Sequence, residues 1–309
     1  MLFFYKTVDG VMTRVDTLSD GCWVNAVSPT PEEVNFLTDE LRLDRGFVSA
    51  ALDEEESSRV EIEDDQTLII IDTPLAVTEG ENTLVYTTMP LGIIVTKTNV
   101  ITVCLNEVTA LSDMAKGIVR NVQTMMKTRF VLMLLLRVAQ SFLIRLKHIN
   151  KLTSQMEREM HRAMQNKKLI QMMGLQKSLV YFSTSLKANE ITLEKIYRGR
   201  VIKLYEEDQD LLEDVLIEFR QAVEMSGTYS SILQETMDSF SSIISNNMNQ
   251  VMKTLTIVTV LMEIPTMIFS FYGMNMSDLS NFLPYTGFAL GISLAAVAVV
   301  GFFFWRNQK

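Results

Sequence analysis

Thr259, Glu263, Thr266 and Ser270 recur at helical spacing inside an otherwise apolar stretch of the sequence. On an α-helix these steps return to one face, and Met252, Leu255 (or Thr256) and Gly273 fall on the same line. Extended toward the N-terminus, the line meets Asn249, Ser245 or Asn246, Ser242 and Asp238. The opposite face carries Val251, Val258, Leu261, Ile268 and Phe271. A helix surrounded by lipid is apolar all round, so a polar line of this kind is best explained by a water-filled pathway. The line ends at Gly273-Met274-Asn275, a turn where backbone oxygens and an Asn side chain can meet an ion leaving water.

Glu263 is the costliest residue of the line. Comparable charged side chains at the centre of a membrane helix cost about 2.5–3.5 kcal/mol on insertion scales, and no Lys or Arg of the apolar segments can pair with it. Two readings stand. In one, a protonated Glu263 hydrogen-bonds a neighbouring helix; in the other, several copies of the helix form a ring of Glu side chains that attracts cations. A pore built from so little wall requires a cyclic homo-oligomer. Pro265 withholds the backbone partner of the Leu261 carbonyl, which makes either a static kink or a bend used in gating.

Other chemistries are poorly supplied. The two histidines, His148 and His161, and the two cysteines, Cys22 and Cys104, cannot build a His/Cys metal site of the usual spacing. The cysteines read as buried free thiols rather than a disulfide. No nucleophile–base pair, metal triad or phosphate loop is visible, which argues against an enzyme. The formal charge of −9 argues against nucleic acid. The acidic run Asp53 to Glu56, resumed at Glu61, Glu63, Asp64 and Asp65, lacks the loop pattern of a calcium-binding hand and reads as a solvated helix end followed by a strand.

The elements that must position the polar line follow from composition. Residues 1–110 predict a mixed α/β domain, with strands at Thr67–Ile71, Leu84–Thr88, Gly92–Val95 and Val100–Cys104 and a hairpin turn at Lys97-Thr98-Asn99. Ser28-Pro29-Thr30-Pro31-Glu32-Glu33 predicts a helix start. Residues 111–250 lack proline and are rich in strong helix formers, which predicts a long helical stalk with bends or ends at Gly174 and Gly199. Within it Phe130–Leu136 is too short to span a bilayer and reads as a buried segment. Residues 251–272 and 285–305 are each long enough to cross one, with Tyr285 and Trp305 at the interfaces of the second. Lys253, Arg306 and Lys309 flank the spans, while the 273–284 turn has no basic residue. Positive residues inside place both termini, including the 306–309 tail, in the cytoplasm of a plasma or inner membrane.

The segments Asn249–Lys253, Ile264-Pro265-Thr266 and Tyr272-Gly273-Met274-Asn275 resemble the CorA family of magnesium and divalent-cation transporters. The likeness extends to Ala51–Glu61 with Leu68–Ile71 and to the order of α/β domain, helical stalk and two C-terminal spans. The resemblance implies a homopentameric funnel whose first span lines a central pore. It implies that Gly273, Met274 and Asn275 form the outer mouth for a hydrated cation, since Mg²⁺ gives up its waters reluctantly. Met252 and Leu255 match a hydrophobic constriction that gates by dewetting. Asp214 and Asp238 match carboxylates of regulatory divalent binding or the pore entrance, or are ordinary solvated helix residues. Glu79 or Glu81 is the expected partner of Asp214.

On this resemblance the chain is a passive transporter, for Mg²⁺ first with Co²⁺ or Ni²⁺ as further substrates. Inward flow follows the electrochemical gradient, and cytoplasmic Mg²⁺ acts as a regulatory ligand that closes the pore. No other cofactor is implied. The zinc-transporting branch of the same superfamily shares Gly-Met-Asn and is the nearest alternative; a membrane-anchored helical scaffold or sensor is the alternative of another class. Glu263 departs from the family, which usually has an apolar or small residue there. The sequence Met276–Asn281 departs too, with Asp278 in place of the usual acidic stretch.

Overall fold

The structure is a computed structural model and describes residues 1–79, 83–162, 166–199, 202, 204–274 and 282–306. Two compact units are formed, Met1–Met237 and Asp238–Lys309. The first is built on a seven-stranded sheet in the order β2-β1-β3-β7-β6-β5-β4. Its strands are β1 (Leu2–Val8), β2 (Val11–Val15), β3 (Trp23–Val27), β4 (Arg59–Glu63), β5 (Gln66–Glu79), β6 (Thr83–Val95) and β7 (Val100–Cys104). Among the described strands only β3 and β7 pair in parallel, with Trp23 opposite Val100 and Val27 opposite Cys104. Both are buried almost throughout, as central strands covered on both faces must be.

Helices cover the sheet from both sides. On one face α1 (Pro31–Asn35), a π-helical turn at Phe36–Glu40 and α2 (Arg45–Ala51) close over Val24, Ala26, Leu68, Ile70, Ile94, Ile101 and Val103. Thr30 caps α1 in a reciprocal box with Glu33, and the Asp44 carboxylate caps α2 at the Phe47 N–H, 3.0 Å away. Gly92 is required under α2, because a Cβ there would lie 2.3 Å from that of Ala51. After α3 (Thr109–Ala115), the other face receives α4 (Lys127–Arg162) and α5 (Asn166–Gly199). Phe130, Leu134, Val138, Phe142, Leu146 and Ile149 give α4 its buried stripe. Trp23 anchors that side, its indole N–H donating to Thr102 Oγ1 at 2.9 Å and its ring 5.3 Å from that of Phe130.

The β5–β6 hairpin is longer than the sequence predicts. Leu84–Thr88 and Gly92–Val95 read as separate strands because Met89-Pro90 intervenes, yet β6 runs through both. Proline is tolerated because β7 pairs no further than Leu91, so the missing N–H faces an edge with no strand beside it. On the opposite edge β4 pairs no further than Ile70. There the Asn189 side chain of α5 takes the strand's place, accepting from the Asp72 N–H at 2.8 Å and donating to the Asp72 carbonyl at 2.9 Å. Ser178 of the same helix accepts from the Tyr86 N–H at 2.8 Å. Thus α5 lies across the hairpin and satisfies backbone groups on both of its free edges. Gly174 does not end a helix; it lies within α5, which terminates at Gly199.

Helix α6 (Glu206–Met274) contributes to both units. Within Met1–Met237 it buries Leu212, Val215, Leu216, Phe219 and Ala222, and Ser226 donates to the Leu179 carbonyl of α5 at 3.2 Å. Within Asp238–Lys309 it is joined by α7 (Phe282–Arg306). Both α6 and α7 contain stretches long and apolar enough to cross a membrane.

Candidate functional site

Two faces of α6 can be told apart in the second unit. Ile257, Leu261, Ile264, Pro265 and Ile268 are half-buried, at helical spacing, while their neighbours are exposed. This stripe is the one that meets α7: a Cβ on Gly301 would lie 3.9 Å from Leu261 Cδ2. On α7 the covered residues are Ala289 and Ser293, with Ala296, Val297, Val300 and Gly301 half-buried. Small residues there let two helices approach closely, as packing in a membrane favours.

Asn249, Met252, Leu255, Thr259, Glu263, Thr266 and Ser270 are all exposed. At 3.6 residues per turn their line lies about half a turn from the α7-facing stripe. The polar face is therefore turned away from the one helix of this unit that could cover it. Apolar members of the line are equally bare, Met252 at 53% and Leu255 at 57% exposure.

Four threonine hydroxyls on this segment share one arrangement. Thr254, Thr256, Thr259 and Thr266 donate to the carbonyls of Gln250, Met252, Leu255 and Met262, at 2.9, 2.8, 2.9 and 3.1 Å. Each proton is thus spent on the helix's own backbone, and the lone pairs of the oxygen remain for other partners. The sequence showed where these hydroxyls lie but not that their protons are occupied. Pro265 sits inside α6, which continues past it to Met274.

The remaining candidates are more scattered. Gly273 is exposed near the end of α6, Met274 is its last residue, and Asn275 lies outside the described residues. Asp214 and Asp238 are exposed on α6. Glu79 ends β5, with its side chain outside the described part, and Glu81 lies outside it altogether. Among the described residues no three His, Cys, Asp or Glu side chains converge as a metal site. Cys22 and Cys104 are free and buried, and burial pushes the Cys104 thiol up to about 12.

The family model described as CorA-like Mg²⁺ transporter protein matches residues 19–306. The chain belongs to the CorA family. It is accordingly a divalent-cation transporter of the membrane and not an enzyme. The cobalt/magnesium transport protein CorA of Methanocaldococcus jannaschii is 29% identical over 284 residues, covering 91% of this chain and 88% of that one. The complete structure of the magnesium transporter CorA from that organism superposes with a TM-score of 0.82 at 26% identity, covering 99% of this chain and 98% of the other. The full-length CmaX protein shares the fold, with a TM-score of 0.72 at 15% identity and coverage of 99% and 96%. Family membership also separates the chain from the helical scaffolds that its long α-helices alone would allow.

Proposed function

We propose that five copies of the chain surround a central pathway lined by the polar face of α6, and that this pathway carries Mg²⁺ into the cytoplasm. The observation that carries the reading is the exposed line Thr259, Glu263, Thr266 and Ser270, half a turn from the face packed on α7. Lipid is a poor neighbour for that line, whereas the same line of further copies around a water-filled axis satisfies it. Gly273, Met274 and Asn275 form the outer mouth, where neutral oxygens hold the ion through its hydration shell. Met252 and Leu255 narrow the inner end, and rotation of α6 wets or dries that constriction. Both termini lie in the cytoplasm, in keeping with Lys253 and Arg306 flanking the spans.

Cytoplasmic Mg²⁺ closes the pathway by binding carboxylates at subunit boundaries. Asp214, with Glu79 or Glu81 of a neighbouring copy, and Asp238 supply the hard oxygen ligands such a site requires. Co²⁺ and Ni²⁺ are further cargo; the archaeal relative is a cobalt/magnesium transport protein.

The test is flux into liposomes holding the purified protein, read with Mg²⁺- and Zn²⁺-sensitive dyes. Mg²⁺ enters, and Asn275→Ala abolishes entry while native mass spectrometry still counts five copies. Entry of Zn²⁺ without Mg²⁺ would replace this reading by zinc transport. A number of copies other than five would remove the pentameric pathway.

A further inference from the structure

A cavity of about 350 Å³ opens in the first unit between the β5–β6 hairpin, α3 and α4, lined among others by Tyr86, Thr109, Asp113, Arg137, Arg145 and His148. It belongs to the first unit, whereas the Thr259–Ser270 line of α6 belongs to the second. Two arginines, a histidine and a phenol converging on one concavity are unusual in a chain of formal charge −9.

The charges do not cancel. Arg137 donates from Nε and Nη2 to Asp113 Oδ2, at 3.0 and 2.7 Å, so that acid and that base neutralise each other. Among the described residues Arg145 donates to neutral oxygens alone, the Ser141 carbonyl at 3.1 Å and Thr109 Oγ1 at 3.0 Å. Among the described residues no carboxylate stands within ion-pair distance of it. Burial pulls its pKa down, with only partial relief from Tyr86 and Asp113. A guanidinium has five N–H donors, so two bonds to neutral oxygens leave much of its capacity unused.

The second cluster points the same way. Tyr86 Oη and His148 Nδ1 are 2.6 Å apart. Burial raises the phenol's pKa, and the Tyr86 hydroxyl and the imidazole share this one hydrogen bond. With Nδ1 engaged by the phenol, Nε2 is the ring nitrogen left for a further partner, on a residue that lines the cavity. An imidazole and a phenol thus stand beside an uncompensated cation.

We propose that this cavity binds a phosphate group, free or carried on a small organic molecule, through Arg145 and His148. A planar guanidinium pairs with phosphate oxygens through parallel N–H bonds, and the volume admits a phosphate together with a small organic substituent. Because the walls come from α3, α4 and the hairpin, an occupant would clamp α4 to the sheet and give the transporter a ligand other than its cargo.

The experiment uses full-length protein in detergent with EDTA present, titrated by calorimetry with inorganic phosphate and with adenosine monophosphate against chloride at matched ionic strength. Saturable binding is expected, weakened about tenfold or more in Arg145→Gln and in His148→Ala. Because His148 is exposed, the second variant keeps the fold intact should the first disturb it. Tighter binding of the nucleotide identifies an organic phosphate as the occupant; equal or weaker binding identifies the free ion. The proposal fails if neither ligand saturates, or if both variants bind like the wild type. It fails equally if Arg145→Gln only loosens the oligomer and leaves phosphate binding unchanged, since Arg145 then serves a subunit contact.

Discussion

The Asn189 side chain closes on the backbone of Asp72, accepting from its N–H and donating to its carbonyl, and so stands in for a strand where β4 has ended. Ser58 donates to the same Asn189 oxygen at 2.8 Å. Asn189→Ala strands three polar groups around a fully buried position. The expected loss is about 1–3 kcal/mol, which lowers the melting temperature of the detergent-solubilised protein by several degrees. An unchanged melting temperature would show that water serves Asp72 equally well.

The Asp72 side chain predicts a pH effect of defined sign. Burial raises its pKa above the ordinary 3.8, with a hydrogen bond from Ser185 opposing. A raised folded-state pKa means that the protonated acid suits the fold better, so the favourable contribution is full below the unfolded pKa. It is lost as pH rises through the folded value, and the ionised group is a burden at neutral pH. Asp72→Asn should therefore raise the melting temperature at pH 7, with an advantage that shrinks as the pH is lowered toward the ordinary carboxylate range. A constant advantage at all pH values would assign the effect to packing instead.

Glu263 can be tested by charge and by size separately. Both Glu263→Gln and Glu263→Ala should lower Mg²⁺ flux into liposomes by about tenfold, the effect of losing one favourable ionic contact of ~1.4 kcal/mol in the pathway. Gln keeps the length and loses the charge, so equal losses in the two variants identify charge as the working property. Wild-type flux and selectivity in Glu263→Ala would take this residue out of the pathway.

Cys104 should resist alkylation. Its thiol is fully buried and held almost wholly protonated at neutral pH, while the thiolate is the reactive species. Iodoacetamide followed by mass spectrometry should find Cys104 unmodified in the native protein and modified after denaturation. Rapid native labelling would reveal opening of β7, the strand between β3 and β6.

Legibility in the sequence followed the range of the interactions. The polar line on α6 could be read because it depends only on helical period, and Thr30 with Glu33 could be read as a helix start because the capping box spans four consecutive residues. The continuity of β6 through Pro90 could not be read, since it depends on where β7 stops. The pairing of Arg145 and His148 with Tyr86 and Thr109 joins segments distant in the chain. A signal was nonetheless present: Arg137, Ser141, Arg145 and His148 recur at helical steps along α4. Asp214, Glu79 and Glu81 carry no comparable local pattern, so only the family likeness selected them from many acidic residues.

The threonines of α6 give its exposed face a sense of direction. With the protons of Thr256, Thr259 and Thr266 committed to Met252, Leu255 and Met262, these hydroxyls can receive hydrogen bonds but not give them. Waters around a cation turn their hydrogens outward; waters around an anion turn their oxygens outward. Only the first arrangement meshes with such a wall. Lining the proposed pathway, this face would sort ions by the orientation of the water they carry, with no formal charge involved, and a chain stripped of Glu263 should still favour cations over anions.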